Sequence, residues 1–600
     1  MTKDINKILL VYPEIPKNTY WSYHFALNFI NKKSAMPPLG LITVASLLSD
    51  QFDFRLVDMN IEPLSDECVQ WADLIMVSVM IVQKPSFQQV LDVAKRLGKP
   101  VMAGGPYVTS SQKEMENADH LVLGEMEGMA QEIGADIASG ELKKTYQSKG
   151  MPDISQPSIP RFDLLNWKAY GSMSVQYSRG CPFQCEFCDI WKVYGNRPRL
   201  KSTDAFLAEL DALYALGYRG GVFLVDDNFI GNKKRVRTEL LPGLISWQKE
   251  RGFPFSFFTE ASINLADDES LLDLMKEARF NQVFIGIETP EKASLEETGK
   301  TQNLKNDLLE SVKRIQKKGI EVMAGFIVGF DSDPEDVFDR QLTFIQEAAI
   351  PQAMVGLLTA LPGTDLYHRL EREKRILFLP DGNNTHHLST NFKTVMDEEI
   401  LRKGYRRLLS ELYGKGLTNY FKRCETLMSR LGERTLFQRN ITHKEIWMLV
   451  KSLCRQPFTA YGWRYLRFIF KNLFLQPDIF GEVVRYAIIG HHFHTITREM
   501  IKVDQVVSDL DAAYGSLTKY LNRYSDVLIG HSRESLQGLY DRWNKESRIL
   551  KKILRKIGKL HVDFRNDATW VYVDTLWKMH SLFSAFLNRA KGREDILPAP

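Results

Sequence analysis

The sequence predicts an α/β protein in which a doubly wound, Rossmann-like domain is followed by a second set of parallel β/α units and then by a helical region. Two observations carry the α/β reading. Short apolar runs of strand length alternate with helical stretches through the first 360 residues, the pattern of parallel sheets built from β/α units. Glycines and acidic residues collect just after those runs, where strands of such folds present their ligand-binding groups. From about residue 397 onward the apolar period becomes helical.

Six hundred residues suggest about three to five domains. A composition 44% hydrophobic and 25% charged excludes a disordered, collagenous or disulfide-scaffold protein. No apolar run is long enough to span a bilayer as a helix. The start, Met1 to Lys7, runs into an apolar strand without a cleavage region, and the expected location is cytoplasmic. The net charge of +4 divides unevenly, about −12 over the first 400 residues and about +16 over the last 200.

The first domain is expected over residues 1–140, with strands at 8–12, 54–58, 74–79, 100–103 and 120–123 and helices including 41–49 and 87–97. Ser78 ends the third strand. Gly104-Gly105-Pro106 follows the fourth, and Gly124-Glu125-Met126-Glu127-Gly128 the fifth. Glycines at strand ends let a ligand approach the backbone closely. Residues 141–170, rich in Pro and Ser around 152–160, are read as a connector.

The second α/β domain is expected over residues 171–385. A strand near 172–178 empties into Arg179-Gly180, and then comes Cys181-Pro182-Phe183-Gln184-Cys185-Glu186-Phe187-Cys188. Three thiolates on one tight loop suit an iron–sulfur cluster. A structural zinc site would want a fourth ligand, and none lies nearby. Cys68, Cys424 and Cys454 stand alone and read as inert, and a cytosolic setting argues against disulfides. Further strands are expected at 222–225, 255–258, 283–287, 322–327 and 354–359, separated by helices such as 203–216, 269–277 and 303–318. The strand ends carry Asp226-Asp227-Asn228, Thr259-Glu260, Gly286-Ile287-Glu288-Thr289-Pro290 and Gly325-Phe326-Ile327-Val328-Gly329. Each polar residue taken singly reads equally as a cap or turn residue.

The CxxxCxxC loop and the units after it resemble the radical SAM superfamily. The resemblance implies a partial (β/α)6 barrel and a [4Fe–4S] cluster held by Cys181, Cys185 and Cys188. It also implies S-adenosylmethionine (SAM) bound at the cluster's open iron as the source of a 5′-deoxyadenosyl radical. Phe187, Gly325 and Ile327 would then face adenine, while Asp226 and Glu260 would meet ribose or the methionyl amine, with Asp227 a further SAM-binding residue. The chain departs from the pattern after the second strand, where Asp226-Asp227 replaces the usual GGE. The first domain resembles the cobalamin-binding domain that precedes many radical SAM barrels, with Ser78, Gly104, Gly105, Gly124 and Glu125 as implied cobalamin contacts. Its first strand leads into Tyr12-Pro13-Glu14-Ile15-Pro16 and lacks DxHxxG, so no histidine from that motif would ligate cobalt.

Residues 386–500 read as a mainly helical domain and 501–600 as a further helical extension, including the basic run Lys551 to Lys559. The stretch from Asp226 to Lys234, the loop from Asp381 to His387 and the helices to about residue 500 resemble the subgroup of the hopanoid methylases. That resemblance implies methyl transfer to an unactivated carbon, with a small-molecule or lipid substrate and a flavodoxin- or ferredoxin-type electron donor. Radical cyclisation without methyl transfer is the alternative within the superfamily. A non-catalytic iron–sulfur protein that binds nucleic acid or acts as a sensor is the alternative outside it, and nucleic acid is not the expected partner. Phe458 to Lys471 interleaves aromatic and basic residues; it suits a bilayer interface, stacking on nucleic acid or a helix packed on the barrel. His491-His492-Phe493-His494 reads as a helix-end or interface feature rather than a metal site. The last residues, around 591–600, read as a frayed end.

Overall fold

In the first sheet, alternate residues of one strand face opposite layers. Leu9, Val11, Ile75 and Val77 pack with Phe87 and Val90 of the helix Lys84–Arg96. Their neighbours Ile8, Leu10, Leu74 and Met76 pack with Leu41, Ile133 and Ile137 on the opposite side. Strands covered on both faces need no polar alternation, which is why they read as continuous apolar runs. The computed structural model describes residues 5–48, 51–383, 390–431, 443–475, 477–524 and 533–591. The first four residues, the end of the first helix at Ser49, His386, His387 and residues 592–600 lie outside them.

The first sheet contains β1 (Lys7–Tyr12), β2 (Asp53–Asp58), β3 (Leu74–Ser78), β4 (Val101–Gly104), β5 (His120–Leu123) and β6 (Thr145–Gln147), in the order β2-β1-β3-β4-β5-β6. All neighbours are parallel. The order reverses between β1 and β3, and such a switch point opens a crevice beyond the strand ends. β6 corrects the reading of 141–170 as a plain connector. Thr145 to Gln147 pairs with Leu121 to Leu123, and with only Tyr146 buried three residues carry no readable alternation.

The second sheet contains β7 (Met173–Val175), and a short antiparallel ribbon of β8 (Ser178–Arg179) and β9 (Arg199–Leu200) stands at its top. Then come β10 (Gly220–Leu224), β11 (Phe255–Glu260), β12 (Phe280–Glu288), β13 (Glu321–Val328) and β14 (Ala353–Leu357). The order β14-β13-β12-β11-β10-β7 is sequential and parallel, and β7 and β14 remain edges. The open side is closed by helices: Tyr405 and Tyr413 of the helix Glu398–Tyr413 donate to the carbonyls of Val355 (2.9 Å) and Ala353 (2.7 Å) on β14.

The described residues up to His494 form one compact unit, and those from Thr495 form a second. Within the second, helices Arg533–Ile557 and Val562–Lys591 share a core of Leu510, Leu517, Leu521, Ile553, Ile557 and Met579. The histidine run is buried. His491 Nδ1 meets Tyr461 Oη at 2.5 Å, His492 Nε2 faces the Tyr20 carbonyl at 3.2 Å, and His494 Nδ1 faces the Tyr413 carbonyl at 2.8 Å. These histidines have a packing role, and burial pushes the His492 imidazole down to about 3.

Candidate active site

The cysteine loop hangs between β8 and β9, so the ribbon pins both its ends. Gly180 enters it at φ +93, and a Cβ there would lie 2.7 Å from the Gly195 carbonyl oxygen, so only glycine fits. The Cys181 amide donates to Gly195 (3.2 Å), the Glu186 amide to Thr298 (2.9 Å) and the Cys188 amide to Cys185 (3.1 Å). All three thiols are free, and Cys185 is buried. Among the described residues no three His, Cys, Asp or Glu converge on one ion position. Three thiols with no fourth ligand suit three separate irons of a cluster, each with its own thiolate, rather than one zinc ion.

Beside this loop, Lys300 Nζ lies 2.6 Å from Glu288 Oε1, with both side chains largely buried. Burial opposes the charge on Lys300, but Glu288, Cys185 and Cys188 outweigh it and push its pKa up. Gln302 Nε2 approaches Cys185 Sγ at 3.9 Å. The Phe187 ring packs against Phe330 at 6.1 Å and shares a cluster with Ile327, so two of the expected adenine neighbours do come together. Gly325 sits deeper in the sheet: a Cβ there would meet the Phe284 ring at 3.1 Å, and its bare Cα makes room for that ring.

Three carboxylates stand at the ends of β10 and β11. Asp226 accepts from the amides of Tyr177 and Ser178 (both 2.8 Å) and from Ser178 Oγ (2.5 Å). Both its oxygens are committed to fixing the chain between β7 and β8. Asp227 accepts from the Gly180 amide at 2.8 Å and lines the cavity described below. Burial pushes Asp226 up to about 7 and Asp227 up to about 6. Glu260 is pushed up to about 8 by burial and then by the charges of Asp227 and Asp226. Such a cluster favours a bound cation, because a cation relieves their mutual repulsion. The amine and sulfonium of SAM meet that requirement.

The first sheet faces this site across a cavity of about 960 Å³. Its walls come from the ends of both sheets: Tyr12, Ser78, Gly104, Gly105 and Gly124 from one, and Ser174, Gln176, Phe223, Val225 and Asp227 from the other. Met76, Met102, Val122 and Met126 add an apolar floor. Gly105 has φ +100, and a Cβ would sit 2.8 Å from the Val79 amide nitrogen and 3.0 Å from Ser78 Oγ. Gly124, at φ +92, donates to Thr109 Oγ1 at 3.0 Å. These backbone-lined edges with an apolar floor fit a large, flat cofactor such as cobalamin, and Ser78 offers its hydroxyl at the rim.

Glu125, also on the cavity wall, is tied up differently from the expectation. Its carboxylate pairs with Arg179 (2.7 Å) and Arg199 (2.5 Å) of the β8–β9 ribbon, and Glu127 pairs with Arg179 at 2.7 Å. Glu125 thus also straps the first sheet to the cysteine loop. Arg179, Arg199, Lys300 and Gln302 escaped sequence reasoning. Arg179 stood beside the Gly180-Cys181 signal, whereas the other three carry no pattern of their own.

The chain matches the B12 binding domain over residues 27–134, the Radical SAM superfamily over 175–345 and a domain of unknown function, DUF4070, over 364–505. An uncharacterized methyltransferase of Synechocystis sp., sll1242, is 46% identical over 409 residues, covering 68% of this chain and 76% of that protein. The hopanoid C-2 methylase of Rhodopseudomonas palustris is 37% identical over 376 residues, covering 62% and 71%. The solved structure of the cobalamin-dependent SAM radical enzyme OxsB is similar in fold, with a TM-score of 0.54 at 16% identity, covering 93% of this chain and 85% of that one.

Proposed function

The chain belongs to the cobalamin-binding radical SAM methyltransferases, and from that premise we propose that it methylates an unactivated carbon of an apolar, isoprenoid-type lipid. The observation that carries the substrate class is a cavity walled by both sets of strand ends, whose second-sheet side includes the apolar side chains of Phe223, Val225, Ile190 and Val193. A relative named for hopanoid methylation supports the same class.

Cys181, Cys185 and Cys188 hold the cluster, and Asp227 and Glu260 receive the cationic part of SAM. Phe187 and Ile327 offer it an apolar face. Gly104, Gly105 and Gly124 let cobalamin lie against the backbone, with Ser78 at its rim. When bound, the cluster with SAM supplies a hydrogen-abstracting radical and cobalamin supplies the methyl group; such chemistry is the cofactors' own. The protein's residues position the groups and exclude water. The Glu125–Arg179 strap fixes the cysteine loop against the first sheet, and the apolar side chains on the second-sheet side keep solvent from the reacting carbon. Electrons would come from a flavodoxin- or ferredoxin-type donor.

The test is to supply the reconstituted protein with reductant, SAM and isoprenoid lipid extracts, and to follow product mass and 5′-deoxyadenosine. Gain of a CH₂ supports the proposal. Loss of two hydrogens would replace it with ring closure, and a reduced cluster that yields no 5′-deoxyadenosine would remove catalysis altogether.

A further inference from the structure

The helices His443–Arg455 and Gly462–Leu475 form a hairpin joined by the short turn Gln456–Phe458. Its inner side is packed: Tyr465, Phe468 and Ile469 are buried, the Phe468 ring stacks on Phe421 at 4.6 Å, and Tyr465 Oη meets Ser452 Oγ at 2.8 Å. A surface helix with one side so anchored ordinarily turns a polar face to water. This hairpin does the opposite. Trp447 is 65% exposed, Phe458 87%, Trp463 79% and Phe474 80%.

The spacing makes a stripe: Trp463, Arg467, Phe470 and Phe474 follow one another at intervals of four, three and four residues, on one helix face. Arg464 and Lys471 flank it. From Ile446 to Pro477 the chain contains no aspartate or glutamate and five lysines and arginines. Over 401–494 there are 17 basic residues against 6 acidic ones.

We propose that this hairpin face docks on an anionic lipid surface, with its tryptophan and phenylalanine rings below the headgroups and Arg464 and Arg467 among them. Interfacial helices combine rings and basic residues in this way. Among the described residues no helix is long and apolar enough to cross a membrane, so the contact lies on the surface. The charge selects the occupant. A second copy would bring the same positive face and be repelled, whereas an anionic bilayer is complementary to it.

The location gives the surface a purpose. Lys451 Nζ donates to the Asn28 carbonyl at 3.4 Å and to Asn31 Oδ1, and the Arg455 guanidinium lies 5.7 Å from the Phe29 ring. Asn28, Lys32 and Lys33 are part of the cavity wall. Docking the hairpin therefore brings that wall beside the bilayer, a short route for an apolar substrate. That last purpose rests on the proposed lipid substrate; the docking itself does not.

The test is flotation of the full, cofactor-loaded chain with vesicles of phosphatidylcholine alone and of phosphatidylcholine mixed with phosphatidylglycerol. Binding is expected only to the mixed vesicles and to weaken with salt. The pairs W463S/F474S and R464E/R467E should each lower partitioning at least about tenfold, while 5′-deoxyadenosine formation in detergent stays unchanged. Because binding is read without substrate, its failure and a failure of the methyl-transfer reading are separate results. Absence of vesicle binding would overturn the proposal, as would binding that both variants retain. So would self-association, or association with an acidic protein, that W463S/F474S abolishes and vesicles do not displace.

Discussion

The two sheets end in opposite chemistries. At the first, the strand ends present Gly104, Gly105 and Gly124 beside Met76, Met102 and Val122, and the carboxylates of Glu125 and Glu127 are paired with Arg179 and Arg199. At the second, they present Asp226, Asp227 and Glu260 with three thiols alongside. A bare backbone suits a large ligand held by shape over a broad face. Buried carboxylates suit a small cation held by charge. One fold principle, ligands beyond the strand ends, therefore yields two sites that differ in what they select, joined by the Glu125–Arg179 strap.

The comparison breaks if the two sites cannot be emptied separately. Cys185→Ala should abolish activity and strip iron while leaving cobalt in place, as metal analysis would report; loss of both metals together would contradict it. Gly105→Val is the converse. Its side chain would collide with the Val79 backbone at a φ of +100, so cobalt and methyl transfer should be lost while iron and 5′-deoxyadenosine formation persist. Arg179→Ala should disturb both sites, because it leaves Glu125 and Glu127 buried without a shared partner. We expect a cost of about 3 kcal/mol in unfolding free energy and partial loss of both metals.

The smallest effect is a pH dependence of the metal-free protein. Glu260 rises from its ordinary 4.5 to about 8 through burial and then its two acidic neighbours. The folded chain thus holds a proton that the unfolded chain releases near 4.5, and stability should fall as pH rises from about 4.5 to about 8. Glu260→Gln should flatten that fall in thermal melts, with Asp226 and Asp227 supplying the remainder. An unchanged slope would mean that Glu260 is ionised and already neutralised by a neighbouring cation.

The strands were legible because sheets covered on both faces write their burial as unbroken apolar runs. The cysteine loop was legible because its three thiols lie within eight residues. What sequence missed was short or distant. β6 has three residues and β8 and β9 two each, too few for a period. The ion pairs of Glu125 were not legible because its partners Arg179 and Arg199 lie 54 and 74 residues away. The clamp made by Asp226 was not legible because a carboxylate holding backbone amides looks, in sequence, like one awaiting a ligand. The segment Phe458 to Lys471 reads as packed on the barrel, facing a bilayer or stacking on nucleic acid. The structure packs one side through Phe468 and leaves Trp463 and Phe474 out.

Iron and cobalt per chain, after anaerobic purification from cells supplied with cobalamin, test most directly the claim that both cofactors bind at the facing strand ends. The account predicts about four irons together with near-stoichiometric cobalt that Gly105→Val removes. Four irons without cobalt would contradict it and leave the first sheet a scaffold.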